Sequence, residues 1–260
     1  MKKRFQFAAI LVFAAVTGFV SCKKDEVPPA DEDHDAGTGT LRVNFTPMFG
    51  DSLLDLNTES YVTGNGDTLT VSLFKFYVSN VKLTDDEGNI HAVPESYYLI
   101  NAETPTSETI TLSDIPGGHY TSISFLIGVD STRNVSGSQT GALDPANAMF
   151  WTWNSGYIMA KLEGSSPQST QSFNAVTYHI GGFSGTNNAI RSVTIPLTTN
   201  ASVTSTGNPL VTLKADVAEW FVTPNTINLA TSANTTMPGA LSVQIANNYS
   251  DMFSLISVQN

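Results

Sequence analysis

Cysteine is almost missing from this chain: one residue, Cys22, in 260. No intrachain disulfide and no multi-cysteine metal site can form, and beyond Cys22 no thiolate is available as nucleophile or ligand. Basic residues are scarce too, 12 Lys and Arg against 23 Asp and Glu, for a formal net charge of −11. Nucleic-acid binding and adsorption to anionic lipid heads both need a basic face, so the composition argues against both. Histidine occurs only at His34, His91, His119 and His179. The GxSxG elbow, the HExxH zinc motif and the Walker loop are absent, which removes the commonest hydrolase and nucleotidase signatures. The expectation is a binding protein, not an enzyme.

Long apolar runs are also lacking. The longest, Ala8 to Val20, follows Lys2, Lys3 and Arg4 and is too short to span a bilayer comfortably. Residues 1–21 therefore read as a leader ending in Phe19-Val20-Ser21, directly before Cys22. A small residue before a lone cysteine at that point resembles a bacterial lipoprotein signal, with Cys22 the lipidated first residue. The alternative is an ordinary signal peptide followed by a free thiol. Lys23-Lys24-Asp25-Glu26 resembles the surface-export signals of Bacteroidota lipoproteins. The expected location is the bacterial cell envelope, anchored by lipid in the outer membrane on its periplasmic or surface face. Losing the three basic residues of the leader leaves nine basic against 23 acidic, a net charge of −14. Attachment would then come from acyl chains, at about 0.8 kcal/mol per buried methylene. Residues 22–40 are acidic and rich in Pro and Gly, the composition of a disordered tether. His34 lies there among acidic neighbours, where a solvated linker accounts for it better than a site that must first be ordered.

What is plentiful is Thr, Ser, Val and Ile, the composition of strands. Leu41, Val43 and Phe45 alternate with polar residues. Thr70 to Thr84 is a long strand whose apolar phase slips twice, from Val71 and Leu73 to Phe74, Phe76 and Val78, then to Val81 and Leu83. Such slips indicate bulges or a bend between sheets. Asp85 to Asn89 closes a hairpin, and Pro116-Gly117-Gly118 is a turn. Further strands are expected at 97–100, 109–112, 120–127, 157–162, 176–180, 193–197 and 211–217. Pro196 restricts its strand to a sheet edge. Ala218 to Phe221 reads as a helical turn, and Met252, Phe253 and Leu255 as an apolar segment docking on the body. The expected fold is all-β, an antiparallel β-sandwich with long loops, over residues 41–260.

The segment Met149-Phe150-Trp151-Thr152-Trp153-Asn154-Ser155-Gly156-Tyr157 concentrates four aromatics in eight residues. In an extended chain Trp151 and Trp153 point to one face, as a core anchor or as a site. His91 and His119 read as exposed loop residues. His179 ends a strand in Tyr178-His179-Ile180-Gly181-Gly182, where glycines permit close backbone approach or positive φ. It is either a core histidine bonded to a carbonyl or a ligand. Asp130 and Asp144 form a conceivable acid–base pair, with nothing fixing their separation.

These segments together carry a resemblance. Phe125-Leu126-Ile127-Gly128-Val129-Asp130, Gly141-Ala142-Leu143-Asp144-Pro145, the tryptophan segment, Lys161-Leu162-Glu163-Gly164 and Tyr178-His179-Ile180-Gly181-Gly182 are similar to motifs of the MbnP-like family. Phe76 to Leu83 resembles that family's first long strand, and Asn248-Tyr249 with Met252-Phe253 its C-terminal motif. The likeness runs from about Leu41 to Asn260. The family comprises copper-binding proteins named for the methanobactin gene cassette and common as Bacteroidota lipoproteins. The resemblance implies copper handling. It also implies a tryptophan, Trp151 or Trp153, open to oxidation to kynurenine by a dihaem partner related to cytochrome c peroxidases. Copper(I) accepts imidazole, thioether and aromatic faces, so His179 and Met149 are the implied metal ligands. Ser257 and Gln259 stand where members often carry histidines, and Phe45 to Phe49 lacks the histidine many have after the first strand. Met48 and Met159 are further thioethers. The competing reading keeps the scaffold as a metal-free module that binds a protein or glycan through Trp151 and Trp153.

Overall fold

Residues 37–151 and 156–260 are described in a computed structural model of the chain. The expected leader, Cys22, most of the tether, and Trp153 lie outside the described residues. Among the described residues the strands are β1 (Thr38–Phe49), β2 (Ser52–Leu53), β3 (Tyr61–Val62), β4 (Thr68–Asp85), β5 (Ile90–Ala92), β6 (Tyr97–Asn101), β7 (Thr109–Pro116), β8 (Gly118–Ile127), β9 (Phe150–Trp151), β10 (Gly156–Ser165), β11 (Ala175–Gly181), β12 (Arg191–Val203), β13 (Leu210–Asp216), β14 (Asn234–Thr235) and β15 (Phe253–Gln259). The helices α1 (Ser131–Asn134), α2 (Leu229–Ser232) and α3 (Ala240–Tyr249) lie between them. The fold is all-β and sandwich-like.

One sheet has the order β15-β13-β1-β2, with β7 also on β1; the other has the order β12-β8-β4-β10-β11-β14, with β3, β5 and β6 on β4 and β9 on β10. Pro196 lies on β12, at the end of that order and beside a register shift, the edge position that suits a residue without an N–H. The sheets are not wholly antiparallel. β1 runs parallel to β13, and β11 to β14. Parallel partners need long connections, and β13 arrives from the far end of the sequence, which alternation within a strand does not reveal. β1 also starts at Thr38, ahead of the expected boundary at Leu41, because Thr38 and Gly39 pair with Pro116 and Ile115.

Strand β4 is the spine. Its first half pairs with β10 and its second half with β8. Two bulges account for the slips in its pattern. Leu73 pairs with Glu163 and Val71 with Gly164, leaving Ser72 extra. Ser79 pairs with Leu126 and Lys82 with Ser124, an extra residue again, with Asn80 at φ 52°. Each bulge resets the alternation, so Leu69 and Val71, then Phe74, Phe76 and Val78, then Val81 and Leu83 are all buried. Between the sheets, Phe45 and Phe253 from the first meet Phe76 and Phe125 from the second. Their ring centroids are 5.1–6.0 Å apart and mostly edge-to-face. Burying one such side chain contributes about 1.5–3 kcal/mol.

Candidate functional site

β10 and β11 pair antiparallel, with Lys161 opposite His179 and Leu162 opposite Tyr178. Val176, Tyr178 and Ile180 are buried, so alternation turns His179 to the other face. There its Nε2 lies 2.8 Å from Glu163 Oε1, and Lys161 Nζ lies 3.2 Å from the same oxygen. Burial pushes the Glu163 carboxyl up, but the His179 hydrogen bond and the Lys161 ammonium outweigh it and lower the pKa overall. Burial, with Lys161 acting in the same direction, lowers the His179 pKa against the opposing pull of Glu163. A carboxylate only accepts, so Nε2–H must be the donor. The neutral ring then keeps its lone pair on Nδ1, the arrangement in which a carboxylate orients a metal-binding histidine.

Trp151 reaches the same strand. It pairs with Gly156 across β9 and β10, and its ring lies against Gly181 so closely that a Cβ there would stand 2.4 Å from Cζ3 and 2.6 Å from Cη2. Gly181 and His179 are two residues apart on one strand and share a face. The indole thus covers the strand position next to His179 on that face, the two backbone positions being roughly 6–7 Å apart along the strand. The next residue, Gly182, has φ 113°, and a Cβ there would meet the Asn187 carbonyl oxygen at 2.0 Å. The two glycines thus serve the two purposes that the sequence indicates, close approach and positive φ. Trp151 is 7% exposed, and its other surroundings include a cleft of about 270 Å³ lined by Tyr157, Phe183, Asn187 and Pro238.

The remaining candidates are placed as follows. Met149 is fully buried in the core, and its carbonyl accepts from Ile158 N–H. Met159 is the extra residue of a bulge in β10, and its Sδ accepts from Val129 N–H at 3.2 Å. Ser257 and Gln259 sit on β15, opposite Thr212 and Leu210, in the other sheet from His179. His91 and His119 are in strands β5 and β8 rather than loops, His119 with Nδ1 3.0 Å from Ser202 Oγ. Asp130 caps α1 by accepting from Arg133 N–H and also accepts from the Tyr97 and Asn80 side chains, and Asp144 caps the turn at Pro145 to Asn147 by accepting from Ala146 N–H. Among the described residues no three His, Cys, Asp or Glu side chains group as a metal cluster. Glu163 is a site residue that the sequence did not single out. Its signal is the Lys161-Leu162-Glu163-Gly164 motif, but only the cross-strand register puts it on His179.

The molecule is thus a two-sheet β protein with an oriented histidine and a glycine-seated tryptophan on one strand end. The chain belongs to the MbnP family, whose model matches residues 38–238. Its fold is similar to the solved structure of MbnP from Methylosinus trichosporium, with a TM-score of 0.51 at 13% identity, covering 78% of this chain and 83% of that one. No curated protein sequence matches.

Proposed function

We propose that this protein is a copper-handling protein of the bacterial cell envelope that binds the metal at His179 beside Trp151 and is not itself an enzyme. The observation that supports this reading most is the Glu163 contact, which fixes the tautomer of the His179 ring so that Nδ1 carries the lone pair. The donors fit copper(I), which accepts imidazole nitrogen and soft partners such as a thioether or an indole face. Met149 enters this set as a buried thioether close in sequence to Trp151. When bound, the metal would supply a soft electrophilic centre; the chain's own part is to hold the ring, seat the indole and limit water. An anaerobic copper(I) titration of the purified protein tests this. One equivalent is expected to bind to the natural sequence and none to His179→Ala, with the β fold retained. Absence of stoichiometric binding in both forms would leave the metal-free module that binds a protein or glycan.

Two further elements belong to the proposal. Lipid attachment through Cys22 predicts that Cys22→Ala releases the protein from membranes. Oxidation of Trp151 or Trp153 to kynurenine by a dihaem peroxidase-like partner predicts an added mass of about 4 Da in protein from its native cells. The cleft beside Trp151 supports the access that such a reaction needs.

A further inference from the structure

A second surface stands apart from the histidine and owes nothing to copper. Three segments, residues 50–68 with the short strands β2 and β3, 166–174, and 222–232 with helix α2, lie at the end of the sandwich where Ser165 meets Ala175 and Thr70. They are tied together by side chains. Asp67 Oδ2 accepts from Leu229 N–H at 2.8 Å, Asn65 donates to the Ile227 carbonyl at 3.2 Å, and Gln168 Oε1 accepts from Thr68 N–H at 3.1 Å. These segments expose Asp51, Asp55 and Glu59, bury Asp67, and contain no Lys, Arg or His. From this acidic end project Leu53, 69% exposed, Val62, 67% exposed, and Phe173, 99% exposed. Tyr61 Oη donates to the Leu53 carbonyl, and Val62 pairs with Thr68, the residue held by Gln168 of the Phe173 loop, so the three belong to one rim.

Phe173 is the informative member. It is held at φ 59°, ψ 24°, a left-handed conformation that disfavours a bulky side chain. Its ring gains no burial in return. A glycine would make the same turn without the steric conflict, so the phenylalanine is explained by neither the turn nor the core. Exposed aromatics in positions that the fold itself does not reward are what binding anchors look like. We propose that this end is a docking face for a protein partner that presents an apolar socket for Phe173 ringed by Lys and Arg. Charge selects that partner over the alternatives. Anionic lipid is repelled by the carboxylates, and a second copy meeting this face symmetrically would set the same carboxylates against each other.

The test uses the full chain with the photo-crosslinker p-benzoylphenylalanine in place of Phe173, and a control with it in place of Ser113, in native cells. The expected result is a protein crosslinked from the first position and not the second. Once purified, that protein should bind the natural chain with an affinity that falls as ionic strength rises and falls at least about tenfold in Phe173→Ala. Phe173→Gly should lose the same affinity while its thermal midpoint stays level or rises, which separates a docking role from a folding role. The proposal is overturned if no protein crosslinks specifically from position 173, or if the partner's affinity ignores Phe173 or salt. It is also overturned if Phe173 instead governs sedimentation with phosphatidylglycerol vesicles or self-association of the purified chain.

Discussion

The Phe45–Phe76–Phe125–Phe253 cluster and the Trp151 seat are both aromatic, and they are built in opposite ways. The phenylalanines come from four strands of two sheets and touch one another edge to face. Each is replaceable in principle by another apolar residue of similar volume, because its partners are apolar too. Trp151 rests on a glycine, and the next residues on that face are His179 and its Glu163 and Lys161 neighbours. A core position needs volume; this position needs a flat ring, a missing Cβ and a charged pair together. That combination is the one on which the proposed copper site rests.

Substitutions can break the comparison on either side. The largest expected effect is in the core. Phe253→Ala, at a buried ring with three aromatic neighbours, should cost about 3–5 kcal/mol in urea unfolding while leaving copper(I) stoichiometry unchanged in the protein that remains folded. Gly181→Ala should cost less, about 1–3 kcal/mol, because the Trp151 ring must move away from the new methyl. It should also shift the Trp151 indole resonance and weaken copper binding, which Phe253→Ala should not do. A core change that alters the metal stoichiometry, or a Gly181→Ala protein with an unmoved indole, would erase the distinction.

The smallest effect is electrostatic. Burial first, and Lys161 second, hold the folded His179 pKa below 6.5, with Glu163 opposing. The folded state therefore prefers the neutral ring. Its contribution is present above pH 6.5 and is lost as pH falls through the folded-state value, since the unfolded chain takes up the proton more readily in that window. Glu163→Gln removes the opposing charge, so the pKa should drop further and the loss of stability on acidification should deepen. An NMR titration of the His179 ring measures this, and a pKa that rises in Glu163→Gln would contradict the assigned contact.

Much of the fold was legible because strands write their burial in alternation. The two slips in β4 are two bulges, the turn at Asp85 to Asn89 closes the β4–β5 hairpin, the turn at Pro116-Gly117-Gly118 carries the chain from β7 in one sheet to β8 in the other, and Pro196 marks an edge. Ala218 to Phe221 is indeed a helical turn, within Val217–Phe221. What escaped depends on distant pairing or weak periodicity. The parallel β1–β13 contact joins residues far apart in the chain. Helix α3 buries Ser242, Ala246 and Asn248 alongside Ile245 and Tyr249, so its inward face carries little apolar signal. At the site, the Gly181-Gly182 pair and its neighbour His179 could be read in one strand, but the Glu163–His179 contact exists only through the register of β10 on β11. Met149 illustrates the converse: proximity to Trp151 in sequence says nothing about depth, and the side chain is fully buried.

The central claim is that His179 meets copper through Nδ1 while Glu163 holds Nε2–H. Nitrogen NMR of the labelled histidine rings, recorded before and after one equivalent of copper(I) without oxygen, tests it most directly. The predicted result is an Nε2–H tautomer at His179 before addition, and a large shift of its Nδ1 resonance, with Nε2 still protonated, after it. An Nδ1–H tautomer in the free protein, or His179 resonances that do not move when the metal is added, would contradict it.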